Sequence, residues 1–185
     1  MIIKKEEFKT FVDETTTEYD NVIDQIISGV AKFVKGYCGN VLEAETDIVE
    51  IFDEEDIDTD EIFLANRVNI SNIKLYYNSG TSYDPEWTEE DTDKYVSYSE
   101  KGKITLLSIR TGRKIYKVTY DAGYEYLSMP DDLKLGALKI ASASFNQRKS
   151  EGQSAESAEG YSVNFQSSLT DDVKQLLSPY KSLQV

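Results

Sequence analysis

The sequence predicts an α+β protein: a helical bundle drawn from both chain ends, interrupted by an antiparallel β-rich insertion. Three observations lead there. Apolar residues recur at steps of three and four over 19–37 and again over 133–145, the period of a helix. Residues 40–125 hold short alternating runs rich in Val, Ile, Tyr, Phe and Thr, parted by turn signals. A chain of 185 residues is one domain, or one domain with a large insertion, and buries a core without metal or disulfide. The pattern divides the chain into an N-terminal helical part (1–39), the β-rich insertion (40–125), a second long helix (126–148), and a loop with a terminal strand and helix (149–185).

Taken in order, residues 5–12 form a short helix with Phe8, Phe11 and Val12 on one face. Thr15-Thr16-Thr17 follows as a source of N-caps, since a hydroxyl accepts from the open amides of a first turn. The long helix then runs over 18–38, with Tyr19, Val22, Ile23, Ile26, Ile27, Val30, Phe33, Val34 and Tyr37 on its apolar side. Glu18, Asp20 and Asp24 near its start and Lys32 and Lys35 near its end suit the helix dipole. Gly39-Asn40 stops it.

Strands are expected at 46–52, 61–68, 70–77, 94–99, 103–108 and 114–120. Asn78-Ser79-Gly80, Lys101-Gly102 and Thr111-Gly112 punctuate them. Pro130 and the Asp131-Asp132 pair open the second long helix, where a proline costs no hydrogen bond and acids meet the positive dipole end. Leu133, Ala137, Ile140, Ala141, Ser144 and Phe145 make a stripe of small residues suited to close helix approach. Residues 149–160 read as a polar loop. Tyr161 to Phe165 alternate as a strand, and Thr170 caps a last helix over Asp171 to Leu177.

Composition excludes much chemistry. The chain has no histidine, which removes Ser-His-Asp and Cys-His catalysis and His metal sites. Cys38 is its one cysteine, so no internal disulfide and no Cys-rich zinc site forms. Asp56-Ile57-Asp58-Thr59-Asp60 opens like a calcium loop, but Glu61 stands where the turn needs glycine and Arg67 where the bidentate Glu belongs. No phosphate-binding glycine loop and no membrane-length apolar run occurs. No catalytic, cofactor or metal residue is assigned, and the chain is not expected to be an enzyme. A net charge of −14 opposes nucleic-acid binding, which depends on cations displacing counterions.

Charge is also segregated. Residues 43–61 carry 11 acids and no Lys or Arg, while 101–120 carry six cations and no acid. Asp53, Glu54, Glu55 and Asp56 on one side and Arg110, Arg113, Lys114 and Lys117 on the other are candidates for contacts between subunits, or for a wall facing passing DNA. Solvated faces are the plainer alternative. At the other end, Tyr161, Val163, Phe165, Leu176, Leu177 and Tyr180 are candidate partner-binding residues on an amphipathic segment behind a polar tether. That segment either docks on a partner or packs on its own bundle.

The order of elements resembles the head–tail connector (adaptor) proteins of tailed bacteriophages and prophages. The matching pieces are Thr15-Thr16-Thr17-Glu18-Tyr19-Asp20 opening the long helix, Tyr37-Cys38-Gly39 closing it, and the extended Asn66 to Ile73. Val118 to Tyr124 (a Val-Thr-Tyr-x-Ala-Gly-Tyr segment), Pro130 to Lys134, and the late Leu177-Ser178-Pro179-Tyr180 complete the set. The family's proline is missing near Arg67. The resemblance implies a structural protein and no reaction: a homo-oligomeric ring, a dodecamer in the virion, stacked below the portal. Such a ring extends the channel for double-stranded DNA without specific binding and receives the stopper or tail. It implies a place at the head–tail interface of the virion, and in the host cytoplasm during assembly, with no membrane partner. Two other classes share some features: an acidic DNA mimic that blocks a DNA-binding protein, and a carboxylate-dependent hydrolase.

Overall fold

The computed structural model describes residues 1–151 and 165–182. It is a mixed α+β protein whose chain divides into two compact units. Unit 1 comprises 1–39 and 125–185, and unit 2 comprises 40–124.

Unit 1 is helical. It contains α1 (Lys5–Phe11), α2 (Asp20–Cys38), α3 (Asp131–Glu151) and α4 (Asp171–Leu177). The periodic side of α2 is buried at Ile23, Ile26, Ile27, Val30 and Val34. It packs on α3, which also receives α1 and α4. Surrounded in this way, α3 buries Leu133, Ala137, Leu138, Ile140, Ala141, Ser144 and Phe145. Ser144, the polar member, returns its hydroxyl to the Ile140 carbonyl. The Phe145 ring meets Phe8 of α1 and Tyr19 edge-on, with centroids 5.7 and 5.9 Å away, a geometry that sets ring edges against ring faces.

Several details depart from the sequence expectation. The threonines do not cap α2. Tyr19 holds the N-cap position with no side-chain cap bond. Thr16 instead donates both its N–H and its hydroxyl to Glu14, so the threonines shape the α1–α2 turn. That turn is tied by Lys9 to Asp20 and Lys5 to Asp24. On α1 Phe8 is buried, but Phe11 is exposed and Val12 only half-buried, because a seven-residue helix turns a narrow face inward. Phe33 and Tyr37 of α2 are half-buried, and Phe165 tilts against Phe33. Thr170 precedes α4 without capping it by its side chain; its hydroxyl donates to Asp172. Helix α3 extends through Glu151, into the expected polar loop. The rest of that loop and the strand residues Tyr161 and Val163 lie outside the described residues. Phe165 opens a 3-10 turn, Phe165–Ser168, rather than closing a strand.

Unit 2 is two antiparallel sheets. Strands β1 (Glu45–Phe52), β2 (Glu61–Phe63), β3 (Ser71–Asn78), β4 (Trp87–Glu89), β5 (Tyr95–Tyr98), β6 (Lys103–Leu106) and β7 (Tyr116–Ala122) assemble in the orders β1-β7-β3-β4 and β2-β6-β5. Both sheets give their inner faces to one core: Phe52, Leu75, Tyr116, Val118 and Tyr120 from the first, Ile62, Ile104 and Leu106 from the second. Strand β7 shows why: its residues alternate buried and half-buried along the whole strand. The expected strand 61–68 ends at Phe63, where the chain peels away; Leu64 N–H still donates to the Gly102 carbonyl, but Asn66 turns its amide oxygen to Val41 N–H. Strand β4 was not expected. Trp-Thr-Glu is too short to show a period.

The ends of unit 2 are tied together. Ala44 N–H donates to the Tyr124 carbonyl, and Tyr124 N–H donates to the Leu42 carbonyl. Gly123 makes this closure possible. Its φ of +84° suits glycine, and an added Cβ would lie 2.3 Å from the Glu43 carbonyl oxygen.

Two substitutions test the packing of unit 1. Ile27→Ala lowers stability by about 2–5 kcal/mol, as expected for truncating a buried aliphatic side chain, read from urea midpoints. Gly36→Ala lies in α2 where an added Cβ meets nothing, and it raises stability by about 0.5–1 kcal/mol in the same assay. A loss at Gly36 would show that the helix face is occupied.

Candidate functional site

The sequence singled out an acidic run, a basic run and an amphipathic C-terminal segment. In unit 2 the first two are neighbours within one chain. After β1 the acids form a 3-10 turn, Glu54–Asp56, whose Asp53 N–H is received by the Asp56 carboxylate. This turn lies against the β6–β7 loop. Gly112 N–H donates to the Glu54 carboxylate at 2.9 Å, Lys114 N–H donates to Asp53, and Glu54 N–H donates to the Gly112 carbonyl. The acids thus hold the backbone of the basic turn rather than its side chains. Lys114 has a φ of +48°, and two carboxylates accepting nearby amides keep the turn in that conformation.

The cations are engaged differently. The Arg110 guanidinium lies 4.0 Å over the Tyr77 ring and pairs with Glu90. The Lys117 ammonium lies 4.3 Å from the Tyr76 ring centre and 5.3 Å from that of Trp87. Lys103 pairs with Glu61 and lies over Tyr98. A cation over an aromatic face keeps its stem packed while its head stays available. Glu55 and Arg113 are exposed. The Asp56–Asp60 stretch is a tight turn, bridged from Asp58 to Glu61, with Thr59 at a φ of +63°. Among the described residues no cluster of three or more His, Cys, Asp or Glu side chains is placed to hold a metal. No helix among them is long and apolar enough to cross a membrane.

Tyrosines tie the loops to the β core, which sequence reasoning missed. The buried Tyr120 donates its hydroxyl to Glu50 and accepts from Asn66 Nδ2, while both Glu50 oxygens accept from Ala65 N–H. Burial, and then the Glu50 carboxylate, pushes the Tyr120 phenol well above its ordinary value. Tyr116 donates to the Ser108 carbonyl and accepts from Arg110 N–H. On the outer side of β7, Asp121 serves two irregularities at once. It accepts from Asn72 Nδ2 and from Asp47 N–H, and both Asn72 and Asp47 have positive φ beside a register shift.

The C-terminal candidates lie in unit 1. Leu177 and Tyr180 are buried, Leu176 and Phe165 half-buried. Leu177 lies close over Gly136 of α3, and the Tyr180 hydroxyl donates to Asp132. Phe165 covers Gly29 of α2, where a Cβ would come within 2.8 Å of its ring. Ser182 N–H donates to the Cys38 carbonyl, closing the segment onto the end of α2. Cys38 is itself buried, and burial pushes its thiol up to about 11, which disfavours the nucleophilic thiolate.

These contacts hold and orient loops and helix ends. A family model for head completion proteins matches residues 1–183. The chain belongs to the head completion protein family. This agrees with the resemblance to phage head–tail connector proteins, and the family's role is structural. The comparison with curated proteins returned no match. Among solved structures, the chain is similar to one from the neck of an empty GTA particle computed with C6 symmetry. The identity is 14% and the TM-score 0.62, over 100% of this chain and 91% of that one. It is also similar to a chain of the virion of a native gene transfer agent particle: 10% identity, TM-score 0.53, 93% and 82% coverage. At these identities the likeness is one of fold. It shows that this head completion protein has the α+β architecture of both.

The Asp121 cluster predicts a pH dependence. Asn72 first, and then Asp47 N–H, hold its carboxyl below the ordinary 3.8. A lowered folded pKa contributes stability that is full above the unfolded value and lost as pH falls through the folded one. Wild type should therefore exceed Asp121→Asn in thermal midpoint at neutral pH, and the gap should narrow on acidification below the ordinary carboxylate range. A gap independent of pH would show that the carboxylate charge plays no part.

Proposed function

We propose that the protein is a ring-forming subunit of the neck of a tailed particle. It sits below the portal, extends the channel through which double-stranded DNA passes, and receives the stopper or tail. The observation that carries this reading is the full-length match of both kinds. The head completion family model spans residues 1–183, and the fold follows a chain of a neck structure along its whole length. That neck was computed with C6 symmetry, which favours a cyclic arrangement.

The physical chemistry is consistent with it. A net charge of −14 on each subunit repels DNA and lets it slide past without a specific contact. Glu55 and Arg113, both exposed on the paired acidic and basic turns, are proposed to meet a neighbour or the channel wall. Within the C-terminal set, the burial of Leu177 and Tyr180 gives them to their own unit. Leu176, with Tyr161 and Val163, is then the part of the set proposed to meet the portal. The partners are further copies of the chain, the portal, and stopper or tail proteins. The protein resides in the virion, and in the host cytoplasm during assembly. No residue is proposed to be catalytic.

Deleting the gene from the producing phage or prophage tests the reading. The expected result is an accumulation of heads and of separate tails, with joining restored by the gene in trans, scored by electron microscopy. Particles that join heads to tails normally without the protein overturn it. A chain that co-purifies with a DNA-binding enzyme, and never with particles, would mark an acidic DNA mimic instead.

A further inference from the structure

The β3–β4 hairpin ends in a connection, residues 79–86, that is fixed by a dense set of hydrogen bonds. Asn78 anchors it. The Asn78 side-chain oxygen accepts from the N–H groups of Gly80 and Glu86, and its side-chain nitrogen donates to the Thr81 carbonyl. Ser79 N–H donates to the Glu86 carbonyl at 2.8 Å, and Thr81 N–H donates to the Asp84 carbonyl at 3.0 Å. Asp84 N–H in turn donates to the Thr81 hydroxyl. Gly80 lets the limbs of the loop approach: an added Cβ would lie 2.5 Å from the Asp84 carbonyl oxygen.

This ordered loop holds Tyr83 out into solvent, 98% exposed. A backbone already fixed loses little further freedom when a partner arrives, so a contact made at such a tip costs little ordering. Asp84 and Glu86 are exposed beside it, and neither carboxylate has a hydrogen bond or an ion pair among the described residues.

Other tyrosines show how this chain covers a ring near its surface. Those of Tyr37, Tyr76, Tyr77, Tyr98 and Tyr126 each lie under a Lys or Arg head of the same chain, 4.0 to 5.0 Å from the ring centre. The cation meets the negative face of the ring. Tyr83 has no such cation among the described residues. A bare ring beside two unpaired carboxylates attracts positive charge in two ways at once. A second copy is the poorer source of it, since each copy brings 34 acids and 20 cations.

We infer that the 79–86 tip docks on another protein, seating an Arg or Lys side chain of that partner on the Tyr83 ring with Asp84 and Glu86 as counter-charges. The inference does not depend on the ring reading above.

Photocross-linking tests this in the full chain. Tyr83 is replaced by benzoylphenylalanine, which keeps an aromatic ring at the tip, and the variant stands in for the wild-type chain in the producing phage or prophage. Producing cells and purified particles are both irradiated, and linked peptides are sequenced by mass spectrometry. The expected result is a link to one other protein, at a peptide that carries Lys or Arg. Adding Asp84→Lys and Glu86→Lys should reduce that link roughly tenfold at low salt, with the thermal midpoint of the purified chain unchanged. Asp84→Asn with Glu86→Gln, which keeps the shape of both side chains, should reduce it in the same direction by less. No link in either preparation overturns the inference. So does a link confined to other copies of this chain, a linked peptide without Lys or Arg, or a link indifferent to both charge changes. The neck reading is scored separately, by whether the wild-type chain is present in the particles.

Discussion

The helical unit depends on the close approach of three other helices to α3. Such convergence demands a slender helix, and the sequence supplies one. Gly136 admits Leu177 of α4, and Ala137, Ala141 and Ser144 keep the next turns narrow, with the serine satisfying itself on its own backbone. At the far end the demand reverses. Phe145 fills a wide gap between α1 and the start of α2 by edge-on contacts with Phe8 and Tyr19. A larger residue near Gly136 would push α4 away; a smaller one at 145 would leave a cavity. The C-terminal segment belongs to this packing, as Leu169, Val173, Leu177 and Tyr180 all point inward.

In the β unit the corresponding element is β7, which pairs along its length with β1 on one side and β3 on the other. Its inward tyrosines cross the core and use their hydroxyls on loops: Tyr116 on the β6–β7 loop, Tyr120 on the Glu50, Ala65 and Asn66 cluster. Its outward Asp121 holds the two neighbouring strands where their registers shift. The abundance of tyrosine is explained here in part by a need for long side chains with a polar end, since a buried hydroxyl must find a partner.

Much of this was legible from spacing alone. The long helices were, because Ile23, Ile26, Ile27 and Val30 repeat at a helical period that only one local structure buries. The β-region was, because β7 alternates over seven residues. What the sequence hid had physical causes. Strand β4 is three residues long and borrows its identity from β3. The threonines at 15–17 have the chemistry of caps, but a turn tied by Lys9 used them first. The acidic and basic runs look like partners for another molecule, yet within the chain Glu61 pairs with Lys103, and the Glu54 and Asp53 carboxylates accept from the backbone amides of residues 112 and 114. No pattern of side-chain charge reveals the amide contacts. Leu177 and Tyr180 have the periodicity of a docking helix, and a docking helix and a packed one bury the same face.

The closure at Gly123 bears on how such a chain changes over generations. Residues 42–44 and 124 are hydrogen-bonded to one another, so the β unit leaves the helical chain and returns to it at nearly one point. To the helices on either side, the 85 residues of unit 2 span no more distance than a tight turn would. Lineages can therefore lengthen, shorten or exchange this module at its closed neck while the helical unit keeps its own packing. The gate for that exchange is one position that no side chain larger than hydrogen can occupy.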